Sequence, residues 1–522
     1  MAAVLPKIVR NLFRRRSLFQ VRWASDECAN RKGLILGVYL DPECKEHKFT
    51  SAAAKFNNQV GGKLEELIRD GKPITEGKSA VFQNLDPEYY SVAVVGLGKQ
   101  NAGYNPLENL DECKENVRIA AAAGARELQR LGASAIQIDG MGSAEAAAEG
   151  ASLGLWRYQE CLSADHKIDI PPIDLFYDDD KEEWERGIFK AEAQNIARRL
   201  TDAPANLMTP PVFAQHAVDL LCPCGIGVEV FDRDWAETNK FRLFLHVARG
   251  SCEQPVVLKL SYCGGMAEEK PVVFIGSGVC FDSGGLCLKK CRGMSKYRGD
   301  MAGAAVIVAL MRAISVLSLP INANAIIPVC ENMPSGMAMR PGDIVRCMNN
   351  KTVLIDDTDN EGRLLIADAL AFTAQNFVPR MVVDVGTLTE GMVAAVGSAA
   401  TGVYTSSNEM WKEISKAGAI TGDRVWRFPL WKYFTKKVVG IRNADVSNRG
   451  FGPGGGPCRA AAFLREFVDC AEWVHLDIAG SGMLMETEDV PYMPIHRMSG
   501  RPVRMLLQFM YQLACPSKPE VD

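Results

Sequence analysis

Three short segments in the second half of the chain place acidic residues where predicted strands end or predicted helices begin. Their acidic residues are Asp282, Asp300, Asp359 and Glu361, with Lys289 and Arg363 interspersed. Loops at the ends of strands converge in an open α/β sheet, so acidic residues there can gather into a metal site. Four clustered carboxylates repel one another unless cations neutralise them, and two divalent ions about 3.5–4 Å apart would do so.

The local sequence offers a way to bring these side chains together. Asp359 and Glu361 are two residues apart, so both side chains point the same way if the segment is extended. Asp282 precedes Ser-Gly-Gly, which predicts a tight turn. For each segment alone the alternative stays open that its acid forms a turn or caps a helix. The three segments together favour a metal site.

Other chemistries find less support in the sequence. The chain has six His and no His-Glu-x-x-His, so carboxylates must supply most ligands of any metal. The 16 cysteines are scattered without a Cys-x-x-Cys pair, and we expect most to be reduced, small buried side chains. The Gly96-Leu-Gly98-Lys99 turn lacks the further residues of a nucleotide-binding loop and is interpreted as the end of a strand.

Composition narrows the class of protein. The 522 residues are 47% hydrophobic and 23% charged, as in ordinary globular proteins. The net charge of −4 provides no basic field, so we expect no nucleic-acid partner. No run of 18 uninterrupted apolar residues occurs, so we expect no membrane span.

The first 25 residues differ from the rest of the chain. They contain six basic residues and no acidic one, and apolar residues can lie on one broad helical face. This pattern is typical of a mitochondrial transit peptide. We therefore predict cleavage near residues 23–25 and location in the mitochondrial matrix. The alternatives are a disordered basic tail and a cytoplasmic protein.

Strand and helix patterns alternate along the rest of the chain, which predicts an α/β protein of two domains. The smaller N-terminal α/β domain is predicted over residues 26–185 and ends in an acidic, polar stretch. The larger C-terminal domain, residues 186–522, has nearly continuous apolar strands between helices. Such strands predict a mainly parallel central sheet that helices cover on both faces.

The third acidic segment resembles a known signature. Asp357-Thr-Asp-Asn-Glu-Gly-Arg-Leu364 is similar to the Asn-Thr-Asp-Ala-Glu-Gly-Arg-Leu motif of the leucyl (cytosol) aminopeptidase family. Five further segments follow the family's order and spacing: 203–210, 281–285, 387–389, 473–480 and 500–502. The close resemblance covers about residues 190–510.

The resemblance implies a function for each residue of the cluster. Asp282, Asp300, Asp359 and Glu361 would bind two divalent ions, Zn or Mn, with Asp282 and Glu361 bridging them. Lys289 would polarise the carbonyl of the peptide bond to be cleaved, and Arg363 would hold a bicarbonate that acts as general base. The implied activity is hydrolysis of N-terminal residues from peptides, and the implied assembly is a homohexamer.

The sequence also departs from the family pattern around this cluster. Ser277 stands where the family has a lysine that binds metal, so binding could weaken to one ion. Tyr297 replaces an apolar residue and Glu390 a glycine of the substrate pocket, to which Thr387 also belongs. Asp357 and Asn360 differ within the signature itself. Two hypotheses follow: a metalloaminopeptidase with reduced activity, or a catalytically inactive structural or binding homo-oligomer on the same scaffold.

Overall fold

The computed structural model describes residues 31–40, 46–177, 180–470, 472–483, 490–493 and 495–516. The predicted transit peptide lies outside these residues. The chain divides into two compact units: the first comprises residues 1–101 and 116–188, and the second comprises residues 102–115 and 189–522.

Strands and helices alternate through both units, as the sequence pattern predicts. The strands are β1 (Lys32–Leu40), β2 (His47–Phe49), β3 (Ser79–Gln83), β4 (Ser91–Gly96), β5 (Tyr104–Asn105), β6 (Leu110–Asp111), β7 (Ala135–Asp139), β8 (Ile173–Phe176), β9 (Gly227–Phe231), β10 (Val256–Cys263), β11 (Val272–Gly276), β12 (Gly278–Asp282), β13 (Asn322–Asn332), β14 (Asp343–Arg346), β15 (Thr352–Ile355), β16 (Met381–Gly386), β17 (Thr401–Thr405), β18 (Val425–Arg427), β19 (Val446–Ser447) and β20 (Trp473–Asp477). The α-helices are α1 (Ser51–Gln59), α2 (Lys63–Arg69), α3 (Glu112–Arg130), α4 (Ala144–Leu155), α5 (Lys181–Asp202), α6 (Pro210–Leu221), α7 (Arg233–Thr238), α8 (Arg242–Ala248), α9 (Ala302–Val316), α10 (Gly362–Asn376), α11 (Glu390–Val396), α12 (Asn408–Thr421), α13 (Lys432–Val438), α14 (Gly456–Arg465) and α15 (Val503–Ala514).

The first unit is built on one sheet with the strand order β3-β4-β1-β7-β8, and β2 pairs with β1. The pairs β1–β4, β1–β7 and β7–β8 are parallel, whereas β3 is antiparallel to β4 at the edge. Successive residues Leu34, Ile35 and Leu36 of β1 are fully buried, so both faces of this strand are covered. The sheet therefore has the covered, largely parallel character that continuous apolar strands predict.

The second unit is built on a nine-stranded sheet with the order β18-β17-β20-β16-β11-β13-β10-β9, and β12 pairs with β13. The central strands β13, β11, β16 and β20 are parallel, which agrees with the predicted mainly parallel sheet. Towards the edges, β10 is antiparallel to β13, β9 to β10, and β17 to β20. The sheet is therefore mixed, with its parallel part at the centre.

Two helices of the second unit are buried over most of their length. Every residue from Gly362 to Thr373 in α10 is buried, and so are most residues of α9. One stretch of the described residues, Met294–Val316, is long and apolar enough to cross a membrane, but 83% of its most apolar part is buried inside the protein. A helix that is apolar on all sides is expected in the core of a large domain.

Helix α9 begins in direct contact with the carboxyl end of β16. A Cβ added at Gly303 would lie 2.3 Å from the carbonyl oxygen of Val385. Only glycine allows this approach, which places Asp300 beside the ends of the central strands.

This contact predicts that Gly303→Ala destabilises the second unit. The added methyl group must displace backbone, and overpacking of this kind costs about 1–3 kcal/mol. The midpoint of thermal unfolding measures the effect. The matched control is Gly336→Ala, because a Cβ at Gly336 meets nothing within 4 Å. Equal midpoints for the two variants would show that α9 moves freely to make room.

Candidate functional site

The carboxyl ends of five strands meet at one edge of the large sheet, because β11, β12, β13, β16 and β20 run in the same direction. Ser277 follows β11, Asp282 ends β12 and Asn332 ends β13. Thr387 follows β16 and Asp477 ends β20. This edge is where ligands bind in open α/β sheets.

Three carboxylates form a compact group at this edge. Asp282, Asp359 and Glu361 each offer an oxygen atom, and these atoms all lie within 4.8 Å of one another. Asp300 is the fourth buried acid, and its carboxylate accepts a hydrogen bond from the hydroxyl of Thr387. The structure thus brings together the acids of all three sequence segments.

A turn, rather than an extended segment, places Asp359 beside Glu361. The amide of Asp359 donates to the side chain of Asp357 (3.0 Å) and the amide of Asn360 to the carbonyl of Asp357 (3.3 Å). Glu361 already has helical backbone angles at the start of α10. The segment is therefore not extended, although the two side chains do meet.

The alternative that these acids cap helices is not supported. Neither the start of α9 nor that of α10 has a hydrogen bond from a capping side chain. Both side chains are buried near Asp282 instead: burial, and after it the charge of Asp282, raises the pKa of Asp300 and of Glu361.

The tight turn predicted after Asp282 is confirmed. Gly284 (φ +85°) and Gly285 (φ +65°) are left-handed, and the amide of Gly284 donates to Asp282 Oδ1 (2.8 Å). Asn332 Nδ2 donates to the same oxygen (2.8 Å) and to the carbonyl of Thr358 (3.0 Å). Asn332 thus joins two of the acidic segments. Sequence analysis missed it, and its signal is a polar residue at the end of an apolar strand.

Lys289 is the cation at the centre of the acids. Its Nζ lies 2.7 Å from Asp282 Oδ2 and 2.5 Å from Asp359 Oδ1. Burial alone would lower the pKa of Lys289, but Asp282, Glu361 and Asp359 outweigh it and raise that pKa. Burial also raises the pKa of both Asp300 and Glu361. One lysine therefore faces four acids, and the site can accommodate more positive charge.

The donor set suits a divalent metal ion. Carboxylate oxygens are ligands for Mn, Mg and Zn, and buried Glu361 Oε2 has no hydrogen-bond partner among the described residues. Asp282, Asp359 and Glu361 would hold such an ion. Ser277 is 1% exposed, and its Oγ is likewise buried without a partner in the described part of the chain. A neutral hydroxyl is a weaker ligand than the amine that the family resemblance places there.

The two pocket residues Tyr297 and Glu390 contact each other. The Tyr297 hydroxyl donates to the Glu390 carboxylate and thereby lowers the pKa of Glu390. Lys296 Nζ lies 3.9 Å from Glu390 Oε1. On the other side, the ammonium of Lys289 lies 4.0 Å from the centre of the Tyr297 ring. Tyr297 therefore connects the rim of the pocket to its central lysine.

A cavity of about 460 Å³ contains nearly the whole predicted site. Every residue predicted for the site lines it except Ser277, including Thr387. Arg363 lines it too. Arg363 Nη1 donates to the carbonyl of Asn448 (2.6 Å), and burial lowers the pKa of Arg363 to about 10. Arg449 and Arg459 also line the cavity, and sequence analysis missed both because they lie far along the chain from the acidic segments.

The acids predict how pH and metal affect stability. Burial and neighbouring acids raise the pKa of Asp359 to about 6, above its value in the unfolded chain, so the metal-free folded state binds more protons than the unfolded state from about pH 4 to pH 6. The stability that this group contributes is therefore present at low pH and is lost as pH rises through this window. Metal competes with these protons, so we expect Mn²⁺ to raise the unfolding temperature more at about pH 7.5 than at about pH 5.5.

Thermal unfolding after treatment with a chelator, with and without added Mn²⁺, measures this effect. Asp359→Asn should remove most of the gain. Asp165→Asn, at an exposed position of the first unit, should keep it. An equal gain at both pH values would contradict metal binding by these carboxylates.

Comparison with known proteins identifies relatives over almost the whole chain. The family model described as "Cytosol aminopeptidase family, catalytic domain" matches residues 195–507, and that of the family's N-terminal domain matches residues 35–165. Cytosol aminopeptidase of Bos taurus is 44% identical over 517 residues, covering 98% of each chain. Cytosol aminopeptidase of Homo sapiens is 44% identical over 488 residues, covering 92% of this chain and 93% of the relative.

A solved structure shows the same fold. The bottromycin maturation enzyme BotP in complex with Mn superposes with a TM-score of 0.79 at 29% identity. The match covers 93% of this chain and 100% of that protein.

Proposed function

Because this chain belongs to the cytosol aminopeptidase family, we propose that its cavity is a metal-dependent site that removes N-terminal residues from peptides. The activity of this site is reduced. One observation carries the proposal: the oxygen atoms of Asp282, Asp359 and Glu361 lie within 4.8 Å of one another, in the same cavity as Lys289 and Arg363. The family is metal-dependent and acts on peptides, which supports the same conclusion.

We propose two divalent ions, Zn or Mn, held unequally. Asp282, Asp359 and Glu361 offer three carboxylates to the first ion. The second would share Asp282 and Glu361 and add Asp300, with only the neutral Ser277 in place of the family's lysine. Bound ions would acidify a water molecule and offset negative charge on the reacting carbonyl. BotP is in complex with Mn in the solved structure, which supports testing Mn here.

The chain's own charged groups would orient the peptide. Lys289 carries its charge next to the acids and would polarise the carbonyl group of the bond to be cleaved. Arg363 has a buried Nε without a hydrogen-bond partner among the described residues, which suits an anion such as bicarbonate. The free amine of the peptide would bind near the carboxylates of the cavity, which would restrict cleavage to the ends of peptide chains.

Two features support reduced rather than full activity. Ser277 offers no amine to the second ion. The Tyr297 ring lies over Lys289 and its hydroxyl donates to Glu390, an arrangement that would narrow the substrate pocket. These same features favour the second candidate, a catalytically inactive structural or binding homo-oligomer. The homohexamer that the family resemblance implies belongs to both candidates.

We predict that restoring the missing amine at position 277 increases both the amount of bound metal and the aminopeptidase activity. In residues 26–522, we expect Ser277→Lys to raise bound metal from about one to about two ions per chain. Turnover of a leucyl amide should rise about 10–100-fold, the effect typical of changes around a metal. Elemental analysis and an aminopeptidase assay measure the two quantities, and Glu390→Gly is added to the variant to open the pocket.

The control for an added lysine is Ser406→Lys, at an exposed position outside the cavity. The reduced-activity proposal would be refuted if the unaltered protein bound two ions per chain and Ser277→Lys left its turnover unchanged. No turnover in any variant, despite two bound ions, would favour the inactive homo-oligomer.

We propose that residues 1–25 direct the protein to the mitochondrial matrix. The reason is the basic, acid-free composition of this segment. A fusion of residues 1–30 to a fluorescent reporter should enter mitochondria and lose the segment by cleavage. The matched control replaces the arginines of this segment with glutamine and should stay in the cytosol. Cytosolic location of the unaltered fusion would refute the proposal.

A further inference from the structure

The cavity has an acidic part and a basic part. The acidic part contains the predicted metal ligands. The basic part contains Arg363, Arg449 and Arg459, together with the first residue of α14, Gly456. None of the family motifs quoted from the sequence accounts for Arg449 or Arg459, so the metal site does not explain them.

Neither Arg449 nor Arg459 has a carboxylate partner among the residues that the structure describes, because no acidic oxygen of these residues lies within ion-pair distance. Arg459 Nη1 donates to the carbonyls of Phe451 (3.0 Å) and Gly452 (2.6 Å), so neutral groups hold its guanidinium in place. Its Nε is buried without a partner in the described part of the chain. A buried donor left unpaired destabilises a protein, so this arrangement favours an acceptor from outside the chain.

The guanidinium groups are close enough to repel one another. Burial lowers the pKa of Arg459, and the charge of Arg449 lowers it further. Arg363 lines the same part of the cavity and is 2% exposed, and its Nε has no hydrogen-bond partner among the described residues. An anion bound beside Arg449 and Arg459 would relieve their repulsion.

Helix α14 adds a further positive feature. It is ten residues long, begins at Gly456 beside the cavity, and has no capping side chain at its start. The first amides of a helix and its dipole favour negative charge. The basic part therefore has the features of an anion site built from side chains and backbone.

We propose that Arg449, Arg459 and the start of α14 bind a carboxylate of the substrate, next to Arg363. The inference rests on the proposed peptide-cleaving function and specifies its substrate class. The peptide amine binds at the acidic part, the bond to be cleaved lies at Lys289, and the carboxylate lies at the arginines. A cavity of about 460 Å³ is in the range of small-molecule sites and suits a dipeptide. The carboxylate is either the C-terminus of a dipeptide or the side chain of an acidic second residue.

Two matched ligand pairs distinguish these sources. The first pair is the dipeptide Leu-Gly and its C-terminal amide, and the second is Leu-Asp-amide and Leu-Asn-amide. Dissociation constants are measured by calorimetry on the full chain with Mn²⁺, and hydrolysis is measured separately. We expect the acid of one pair to bind at least about tenfold more tightly than its neutral partner, the effect of one charge-assisted hydrogen bond.

The arginine variants test which groups cause the preference. Arg449→Gln and Arg459→Gln should each reduce the acid-to-neutral ratio towards one, and Arg459→Lys should retain part of it. Arg449 is exposed, so its variant tests the site even if loss of Arg459 disturbs the loop that it holds. The control is Arg442→Gln, at an exposed position that does not line the cavity.

The binding measurement tests the carboxylate site and the hydrolysis measurement tests the proposed activity, so either proposal can fail without the other. A preference for the acid without hydrolysis would uphold the carboxylate site and refute the proposed activity. Hydrolysis with equal affinities in both pairs would overturn the carboxylate site and leave the activity standing. A preference that survives in both glutamine variants would also overturn it.

Discussion

Repulsion among buried carboxylates is the constraint on which this site depends. Asp282, Asp300 and Glu361 are each at most 4% exposed and lie at the same edge of the sheet as Asp359. Acids this close and this well removed from water cannot all be charged unless cations stand among them. Lys289 supplies one positive charge through two short ion pairs. The remaining negative charge is either neutralised by protons, as the raised pKa values indicate, or by metal.

The scaffold holds the acids in place against this repulsion. The chain reverses through Gly284 and Gly285, and Asn332 fixes Asp282 to the neighbouring segment. Helices α9 and α10 begin beside Asp300 and Glu361, so the positive ends of two helix dipoles face the acids. The close contact at Gly303 places the start of α9 directly against the end of β16. Electrostatic cost at the site is thus offset by burial of apolar surface along two core helices.

Local patterns in the sequence predicted those features of the structure that depend on residues close together in the chain. The apolar strands, the turn after Asp282 and the acids before the two helices follow from composition and spacing within about ten residues. The turn at Asp359 was not predicted, because a spacing of two residues fits either a strand or a turn that leads into a helix. The antiparallel edge strands were missed because the direction of a strand leaves no trace in its own sequence. Residues 1–25 stay a prediction.

Local sequence patterns could not predict contacts between segments that are far apart in the chain. Asn332 lies 50 residues from the aspartate that it holds, and Asn448 lies 85 residues from Arg363. Local sequence could not identify Arg449 and Arg459 as cavity residues either, because an arginine near a glycine-rich loop is usually a solvated surface residue. Only the folded chain shows that these two line the cavity of the metal ligands.

In the proposed two-ion site, Ser277 would change the coordination of metal without removing the need for it. A hydroxyl contributes no positive charge, so the four acids would still require a cation besides Lys289. The second ion would lack the amine ligand that the family has at this position. Its binding would therefore be weaker, and its occupancy would depend on pH and on metal concentration. The arginines across the cavity oppose the acids at a distance, so the cavity carries a field that favours ligands with an amine at one end and a carboxylate at the other.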